Sequence, residues 1–218
     1  MIWPTFCIDN FFQNADAIVD YANNLEFKSN NGAFPGTRTE AIHEIDNYFF
    51  SSTTKKILAC LYPNEIESNL QWTALQYFQK IDPKKYATEG FIHQDLDAEF
   101  TSIIYLNETN SNTCIYRRIK EPIKNESKIK FKAYKGQISQ KSKTFKNALK
   151  RNNQFFEKTI EFKAIKNRMI LFDGGCDHGV ESFGNKNEPR LTLITFFERI
   201  IRTDNKSLKY HANECRKY

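Results

Sequence analysis

The chain contains four histidines, and two of them lie in contexts that suit metal binding. His93 and Asp95 stand two residues apart within a short apolar segment. Alternate residues of a β-strand point to the same face, so this spacing brings an imidazole and a carboxylate together. His178 follows a second apolar segment and a glycine-rich turn, which predicts a position at the mouth of a sheet. Two imidazoles and one carboxylate can hold a divalent metal while leaving other coordination positions open.

The His-x-Asp pair alone is a weak signal, because four histidines and 26 acidic residues often produce such a pair by chance. A surface contact between His93 and Asp95 is the simpler alternative. Support comes from Arg190 and Thr192, which open a later apolar strand and share one of its faces. A guanidinium there would offer a two-pronged partner to a carboxylate, whereas pairing of Arg190 with Glu188 on the surface is the alternative.

The spacing of apolar residues predicts the elements that must position these side chains. Helices are expected over 14–26, near 50–61 and, rich in lysine, over about 139–152. Short β-branched or aromatic segments separated by Asn, Asp, Gly and Pro predict strands. These lie at 70–78, 91–95, 100–106, 113–117, 159–162, 168–172 and 191–197. Many short strands with such turns favour a sandwich or a barrel.

The order of the motifs resembles the 2-oxoglutarate/Fe(II)-dependent oxygenase superfamily, with His93-x-Asp95 first, then His178, then Arg190-x-Thr192. The resemblance implies that His93, Asp95 and His178 hold Fe(II) as the catalytic centre. Arg190, helped by Thr192, would bind the distal carboxylate of the co-substrate 2-oxoglutarate, and O2 would be the second co-substrate. The implied activity is a dioxygenase that hydroxylates an unidentified substrate while 2-oxoglutarate is decarboxylated to succinate.

A finer resemblance is to the prolyl-hydroxylase-like branch. Residues 101–107, Thr-Ser-Ile-Ile-Tyr-Leu-Asn, are similar to a strand of that branch whose tyrosine helps bind the same carboxylate. This match implies a binding role for Tyr105, although a plain core tyrosine is the alternative. Residues 112–114, Asn-Thr-Cys, depart from the paired glycines that the branch often has there. The wider layout, including 34–38 and 167–168, resembles uncharacterised oxygenase-like proteins of bacteria and phages.

The resemblance also implies the fold: mainly β with flanking helices (α+β), around a double-stranded β-helix, or jelly roll, of about eight strands. A length of 218 residues fits one core. We therefore predict a single domain over 1–218. Within it we expect helical N-terminal support over 1–66, a jelly-roll core over 67–200 with an insert at about 120–157, and a polar tail over 201–218.

The positive charge is local. Residues 117–151 contain 13 Lys and Arg and two acidic residues, although the whole chain carries only +6. A solvated lid helix is the simplest interpretation, and contact with an anionic substrate or a nucleic-acid backbone is the alternative. Two further hypotheses follow from it: a catalytically inactive jelly-roll module that binds nucleic acid or another polyanion, and an oxygenase that acts on a nucleobase. Otherwise the primary substrate is expected to be a small molecule, an amino acid or a protein side chain.

Five cysteines without a C-x-x-C pair argue against a disulfide framework or a structural zinc site, and predict free thiols. Apolar segments are far shorter than the roughly 20 residues that cross a bilayer. The N-terminal residues lack secretory features. We therefore expect a cytoplasmic protein, of a bacterium or of a phage-infected cell. Cys176, close to His178, is interpreted as structural or incidental, His43 and Arg38 as solvated, and His211 as part of a mobile polar tail.

Overall fold

The computed structural model describes residues 4–29, 34–62, 70–86, 89–120, 126–183 and 189–202. The α-helices in these ranges are α1 (Ala15–Asn23), α2 (Ile42–Ile45), α3 (Asn47–Leu61), α4 (Ser127–Tyr134) and α5 (Lys143–Asn153). The strands are β1 (Phe6–Ile8), β2 (Lys28–Ser29), β3 (Thr37–Arg38), β4 (Leu70–Ile81), β5 (Phe100–Tyr105), β6 (Thr109–Arg118), β7 (Phe156–Ala164), β8 (Met169–Asp173), β9 (Asp177–Val180) and β10 (Arg190–Arg202).

The strands form two antiparallel sheets. The larger sheet has the order β1-β8-β5-β10-β4-β3-β2, and the smaller has the order β7-β6-β9. The N-terminal helices pack against the larger sheet. This arrangement confirms the predicted mainly β fold with flanking helices and a jelly-roll core. The strand predicted at 91–95 is not formed, and the backbone there makes a single β-bridge between His93 and His178.

The central strands of the larger sheet separate two hydrophobic layers. In β5, Phe100 and Ile104 pack with residues of the N-terminal helices, whereas Ile103 and Tyr105 pack with residues of the smaller sheet. This alternation follows from the two-residue period of a strand. All six residues of β5 are buried. Side chains on the second face of β5 and its neighbours therefore lie between the two sheets, where the candidate site is built.

The helices predicted for the first third are present, with shifted ends. α1 begins after Asn14, whose side chain accepts a hydrogen bond from a first-turn amide at 3.1 Å. α3 begins at Asn47, earlier than predicted, because the Asp46 carboxylate caps it in the same way at 2.8 Å. The strands β1, β2 and β3 were not predicted, since two or three residues are too few to show a period.

The basic insert forms two helices, α4 and α5, where the sequence predicts one. A small hydrophobic core joins them to the segment before His93, and its buried members are Phe91, Ala133, Phe145, Ala148 and Leu149. Glu126, only 2% exposed, pairs with Arg151 of α5 at 2.7 Å. The lysines of both helices are exposed, except Lys130. The insert is therefore packed onto the core, and one of its lysines differs from the others.

The last turn of α5 is hydrogen-bonded to the backbone that leads into His93. The Asn153 side chain accepts from the Ile92 amide at 3.1 Å and donates to the Gly90 carbonyl at 3.0 Å. Asn152 donates to the Ile92 carbonyl at 2.9 Å. On its other side the same backbone is bonded to β9. Two asparagines thus hold this segment where a further strand could pair.

The four cysteines that the structure describes are free thiols, as predicted. None of the described helices combines the length and the apolarity needed to cross a membrane. The predicted polar tail lies outside the described residues apart from the end of β10, and so does His211.

Asn153→Ala is expected to loosen the segment before His93. The substitution leaves the Ile92 amide and the Gly90 carbonyl without their partners, which costs about 1–3 kcal/mol. Asn147→Ala, on the exposed face of α5, is the matched control. Hydrogen exchange of the Ile92 amide should accelerate by about tenfold or more in Asn153→Ala only. Equal protection of Ile92 in the two variants would contradict the role assigned to this side chain.

Candidate metal centre and its cavity

The three predicted ligand side chains converge on one point. His93, Asp95 and His178 each offer a ligand atom, and these atoms lie within 4.8 Å of one another. Nε2 of His178 is 3.4 Å from Oδ2 of Asp95, and Nε2 of His93 is 3.8 Å from Oδ1. The two imidazole centroids are 4.5 Å apart. The structure thus brings residues distant in the chain into the arrangement of three ligands around one small ion.

A backbone bridge sets the two histidines side by side. The His93 amide donates to the His178 carbonyl at 2.9 Å, and the His178 amide donates back at 2.9 Å. His178 is itself paired with Ile115 of β6, so the bridge extends the smaller sheet by one position. Residues directly opposite each other on antiparallel segments point their side chains to the same face. This pairing is why both imidazoles reach the same point.

A close contact anchors the loop that carries Asp95. Gly174, in the turn between β8 and β9, accepts a hydrogen bond from the Asp95 amide at 2.8 Å. A Cβ atom at Gly174 would lie 2.1 Å from the Ala98 carbonyl oxygen and 2.6 Å from that of Asp95. Only glycine allows this approach. The turn that leads into His178 therefore also places Asp95.

Backbone carbonyls determine which nitrogen of each ring carries its proton. Nδ1 of His93 lies 2.8 Å from the Phe91 carbonyl oxygen, and Nδ1 of His178 lies 3.0 Å from that of Cys176. A carbonyl oxygen only accepts, so Nδ1 is the donor and a neutral ring presents an unprotonated Nε2. Each Nε2 then faces a carboxylate oxygen of Asp95, which is also an acceptor. Opposed lone pairs of this kind attract a cation between them, and three such atoms form a donor set for a metal ion.

The electrostatic environment keeps His93 neutral and Asp95 ionised. Desolvation, with smaller contributions from the charges of Lys130 and His178, holds the pKa of His93 well below its ordinary value. Burial raises the pKa of Asp95, but the charge and hydrogen bond of His178 outweigh it, so the pKa of Asp95 is lowered. A neutral imidazole and an ionised carboxylate are the forms that bind metals. The donor set therefore fits a divalent cation.

A second cluster with ligand-type atoms is already neutralised. Cys114, Glu161 and Glu181 also lie within 4.8 Å of one another. Lys158, however, places its Nζ 2.7 Å from a carboxylate oxygen of each glutamate. The ammonium group occupies the position that an ion would take, and burial raises the pKa of Cys114 to about 11. This cluster is an ion-pair network.

The predicted co-substrate arginine is buried without a counter-ion. Arg190 is 4% exposed, and no carboxylate in the described parts of the chain pairs with it. Its Nη2 donates to the Thr113 hydroxyl at 3.1 Å, its Nε has no partner there, and its guanidinium lies 5.2 Å from the Tyr105 ring centroid. Desolvation lowers the pKa of Arg190, but a guanidinium stays charged. A cation held in this way is costly unless an anion binds beside it.

Tyr105 and Thr192 lie near this arginine but do not line the cavity. The Tyr105 hydroxyl donates to Thr113 at 2.7 Å, so one threonine accepts from both Tyr105 and Arg190. Thr192 is paired with Tyr105 across the sheet and is buried, and its hydroxyl has no partner among the described residues. Arg190 and Thr113 line the cavity, whereas Tyr105 and Thr192 do not. Tyr105 therefore helps to position the Arg190 guanidinium through Thr113, and Thr192 lies beside Tyr105 on the neighbouring strand.

A cavity of about 490 Å³ joins the metal-type cluster to the buried arginine. This volume falls in the range of small-molecule sites. Its apolar wall includes Phe34, Ile103, Ile194 and Phe196, and its charged wall includes Arg38, Lys130 and Arg190. The triad, which is His93, Asp95 and His178, and the Arg190 guanidinium therefore open onto the same cavity.

Several polar residues of the site were not predicted. The hydroxyl of Thr101 donates to Oδ2 of Asp95 at 2.9 Å, and Thr113 orders the fork. The two-residue period of β5 could have revealed Thr101, since it shares a face with Tyr105. Lys130 stands in a run of lysines that gave no sign of its position. Arg38, expected in solvent, lines the cavity instead.

The other candidates lie apart from the chemistry. His43 contacts Glu44, with 3.1 Å between Nε2 and Oε1, and does not line the cavity. Cys176 contributes its carbonyl oxygen to His178, and burial raises the pKa of its thiol. A protonated thiol is a poor nucleophile, which agrees with the interpretation of Cys176 as incidental.

Comparison with solved structures shows the same fold. HygX from Streptomyces hygroscopicus, with nickel and 2-oxoglutarate bound, matches with a TM-score of 0.55 and 11% identity over 88% of this chain and 82% of that one. EvdO2 from Micromonospora carbonacea var. aurantiaca matches with a TM-score of 0.53 and 10% identity over 88% and 85%. The non-heme alpha ketoglutarate dependent epimerase SnoN from nogalamycin biosynthesis matches with 0.51 and 12% over 88% and 76%.

At the level of sequence, no curated protein matches the chain. One family model does, and its match runs over residues 3–197. That range includes the smaller sheet, the larger sheet except the last residues of β10, the basic insert and every residue of the candidate site. The chain therefore belongs to the Family of unknown function (DUF6445).

Proposed function

We propose that this protein is a non-haem Fe(II)- and 2-oxoglutarate-dependent oxygenase. The observation that carries the proposal is one cavity that holds both a His-Asp-His cluster and a buried arginine without a counter-ion. The likeness in fold to HygX, whose structure contains nickel and 2-oxoglutarate, supports it. The overall reaction would convert a C–H bond of the substrate, O2 and 2-oxoglutarate into a hydroxylated product, succinate and CO2.

His93, Asp95 and His178 would hold the iron. Bound there, Fe(II) supplies open coordination positions and the redox chemistry that side chains lack. The chain's own part is to keep Nε2 of each histidine unprotonated and to orient the carboxylate through Thr101. The carbonyl partners at Nδ1 do the first, and the hydrogen bond at 2.9 Å does the second.

Arg190 would bind the distal carboxylate of 2-oxoglutarate. Its guanidinium already donates to Thr113 and lies beside the Tyr105 ring, so little side-chain freedom remains to be lost on binding. The charge-assisted, two-pronged contact of arginine with carboxylate sets both position and orientation. Tyr105 and Thr192 would act on the co-substrate indirectly, through this arginine. The assignment to the prolyl-hydroxylase-like branch, in which the tyrosine helps to bind the carboxylate, stays a prediction.

The inactive polyanion-binding module is the weaker alternative. Its motivating feature, the basic insert, does expose most of its lysines. A pure binding module, however, gives no reason for a carboxylate aligned with two unprotonated imidazole nitrogens, or for a buried and unpaired arginine. Both features cost stability and are explained only by ligands inside the cavity.

Removal of one ligand should abolish metal binding. In Asp95→Ala and His178→Ala, affinity for Mn(II), used as a spectroscopic substitute for Fe(II), should fall by roughly 100-fold or more, since even supporting residues are worth about 10–100-fold. Electron paramagnetic resonance of free Mn(II) measures this. His43→Gln, away from the cavity, is the control and should bind as the wild type does. Succinate production should be lost in the same two variants. Unchanged Mn(II) affinity in both would refute the assignment.

Replacement of the buried arginine should separate stability from co-substrate binding. Arg190→Met removes an uncompensated buried charge at similar volume, so the free energy of unfolding should stay equal or rise, by up to about 4 kcal/mol. Affinity of the Mn(II)-loaded protein for 2-oxoglutarate should fall by about 2–5 kcal/mol, measured by calorimetry. Arg199→Gln, exposed on the same strand, is the control. The proposal fails if Arg190→Met binds 2-oxoglutarate normally.

A further inference from the structure

Two cations in the cavity remain without a role once Arg190 is assigned to 2-oxoglutarate. Arg38 of β3 and Lys130 of α4 both line the cavity that contains the triad. Arg38 lies on a strand of the larger sheet, whereas Lys130 lies on a helix of the basic insert. In the described parts of the chain neither forms an ion pair. A strand and a helix from different parts of the chain thus bring positive charge to the same cavity.

Aromatic rings hold Arg38 in place. Its guanidinium carbon lies 3.7 Å from the ring centroid of Phe34, 5.2 Å from that of Phe196 and 5.4 Å from that of Tyr77. Its Nε is shielded from solvent and has no hydrogen-bond partner among the described residues. Desolvation lowers the pKa of Arg38 to about 10. Stacked rings fix the plane of a guanidinium but do not satisfy its N–H donors.

Lys130 differs from the other lysines of α4 and α5. Lys128 and Lys132 on the same helix are exposed, whereas Lys130 lies partly buried at the cavity wall. Desolvation lowers the pKa of Lys130 to about 8, against an opposing effect of Asp95. A solvated lid has no need to turn one lysine inward, where burying its charge is unfavourable.

We propose that Arg38 and Lys130 form the binding site for an anionic group, a carboxylate or a phosphate, on the primary substrate. The assignment deepens the proposed oxygenase function and rests on it for the reaction that follows. Two acidic residues at the cavity wall do not neutralise these cations, because Asp97 and Glu198 are exposed and pair with neither of them. The charge of Asp95 favours the charged forms of Arg38 and Lys130, but its carboxylate lies against the two histidines and forms an ion pair with neither cation.

The inward position of Lys130 favours a small anion over a nucleic acid. A nucleic-acid backbone would follow the exposed lysines of α4 and α5, and Lys130 is the one that does not face outward. The cavity of about 490 Å³ accommodates a small molecule beside a co-substrate. The apolar walls formed by Phe34, Ile194 and Phe196 would contact the carbon skeleton that carries the anion.

Ligand-observed NMR on the full chain tests this, with benzoate and phenyl phosphate as probes and benzamide as the neutral analogue. Wild-type protein should bind at least one anion and not benzamide. Arg38→Gln and Lys130→Gln should weaken that binding by about tenfold or more. Lys132→Gln is the matched control and should have no effect. Lys130→Arg, which keeps the charge, should retain binding, and this separates loss of charge from misfolding.

The two probes distinguish carboxylate from phosphate as the preferred group. Arg190→Met removes the carboxylate site assigned to 2-oxoglutarate, so the probe binding that depends on Arg38 and Lys130 should still be detected in this variant. The proposal is overturned if wild-type protein binds neither anion, if benzamide binds as well as they do, or if Arg38→Gln and Lys130→Gln both bind like wild type.

Failure of the oxygenase proposal gives a different result. The NMR measurements need no metal, so an anion site that depends on Arg38 and Lys130 would stand even if Asp95→Ala bound Mn(II) normally. Where Mn(II) does bind, it should accelerate relaxation of the benzoate ring protons in the wild type. An unchanged relaxation rate would separate the anion site from the metal centre and overturn the substrate assignment.

Discussion

The reciprocal backbone bridge between His93 and His178 is the constraint on which the site depends. Two amide-to-carbonyl hydrogen bonds of 2.9 Å align two segments far apart in the sequence, and the side chains follow because opposed residues share a face. The neighbouring elements hold this bridge in place. β6 extends the smaller sheet up to it, Gly174 lets the loop with Asp95 approach, and α5 holds the backbone before His93.

The charged side chains that line this cavity destabilise the folded protein when no ligand is bound. Arg190, Arg38 and Lys130 are all removed from water to different degrees, and none has an ion-pair partner in the described structure. Opposed acceptor atoms at the triad add to the same imbalance. A fold selected for stability alone would fill these positions with apolar side chains. The arrangement becomes favourable only with a cation at the triad and anions at the positive side chains, so ligands and fold should stabilise each other.

Periodicity predicted the long elements, because α1, α3, β4 and β10 each contain enough residues for an apolar pattern to emerge. It could not predict β1, β2 and β3, whose two or three residues are ordered by pairing with β8 and β4. His93 and His178 were singled out because the chain has only four histidines, and Asp95 and Arg190 because the order of the motifs resembles a known superfamily. Lys130 was beyond reach: one lysine among 13 basic residues turns inward because of how the insert packs. Arg38 was misjudged because turn composition says nothing about the rings of Tyr77 and Phe196, which other strands contribute.

The asparagine contacts at the end of α5 have a consequence beyond the site. The backbone at residues 90–92 forms the outer margin of the smaller sheet, and a margin with open donors and acceptors is a template on which a strand from another molecule can add. Side-chain amides of Asn152 and Asn153 occupy those donors and acceptors, and helix α5 covers them. The insert thus covers this edge of the smaller sheet. It blocks the pairing of strands between molecules there, which is a common route to aggregation.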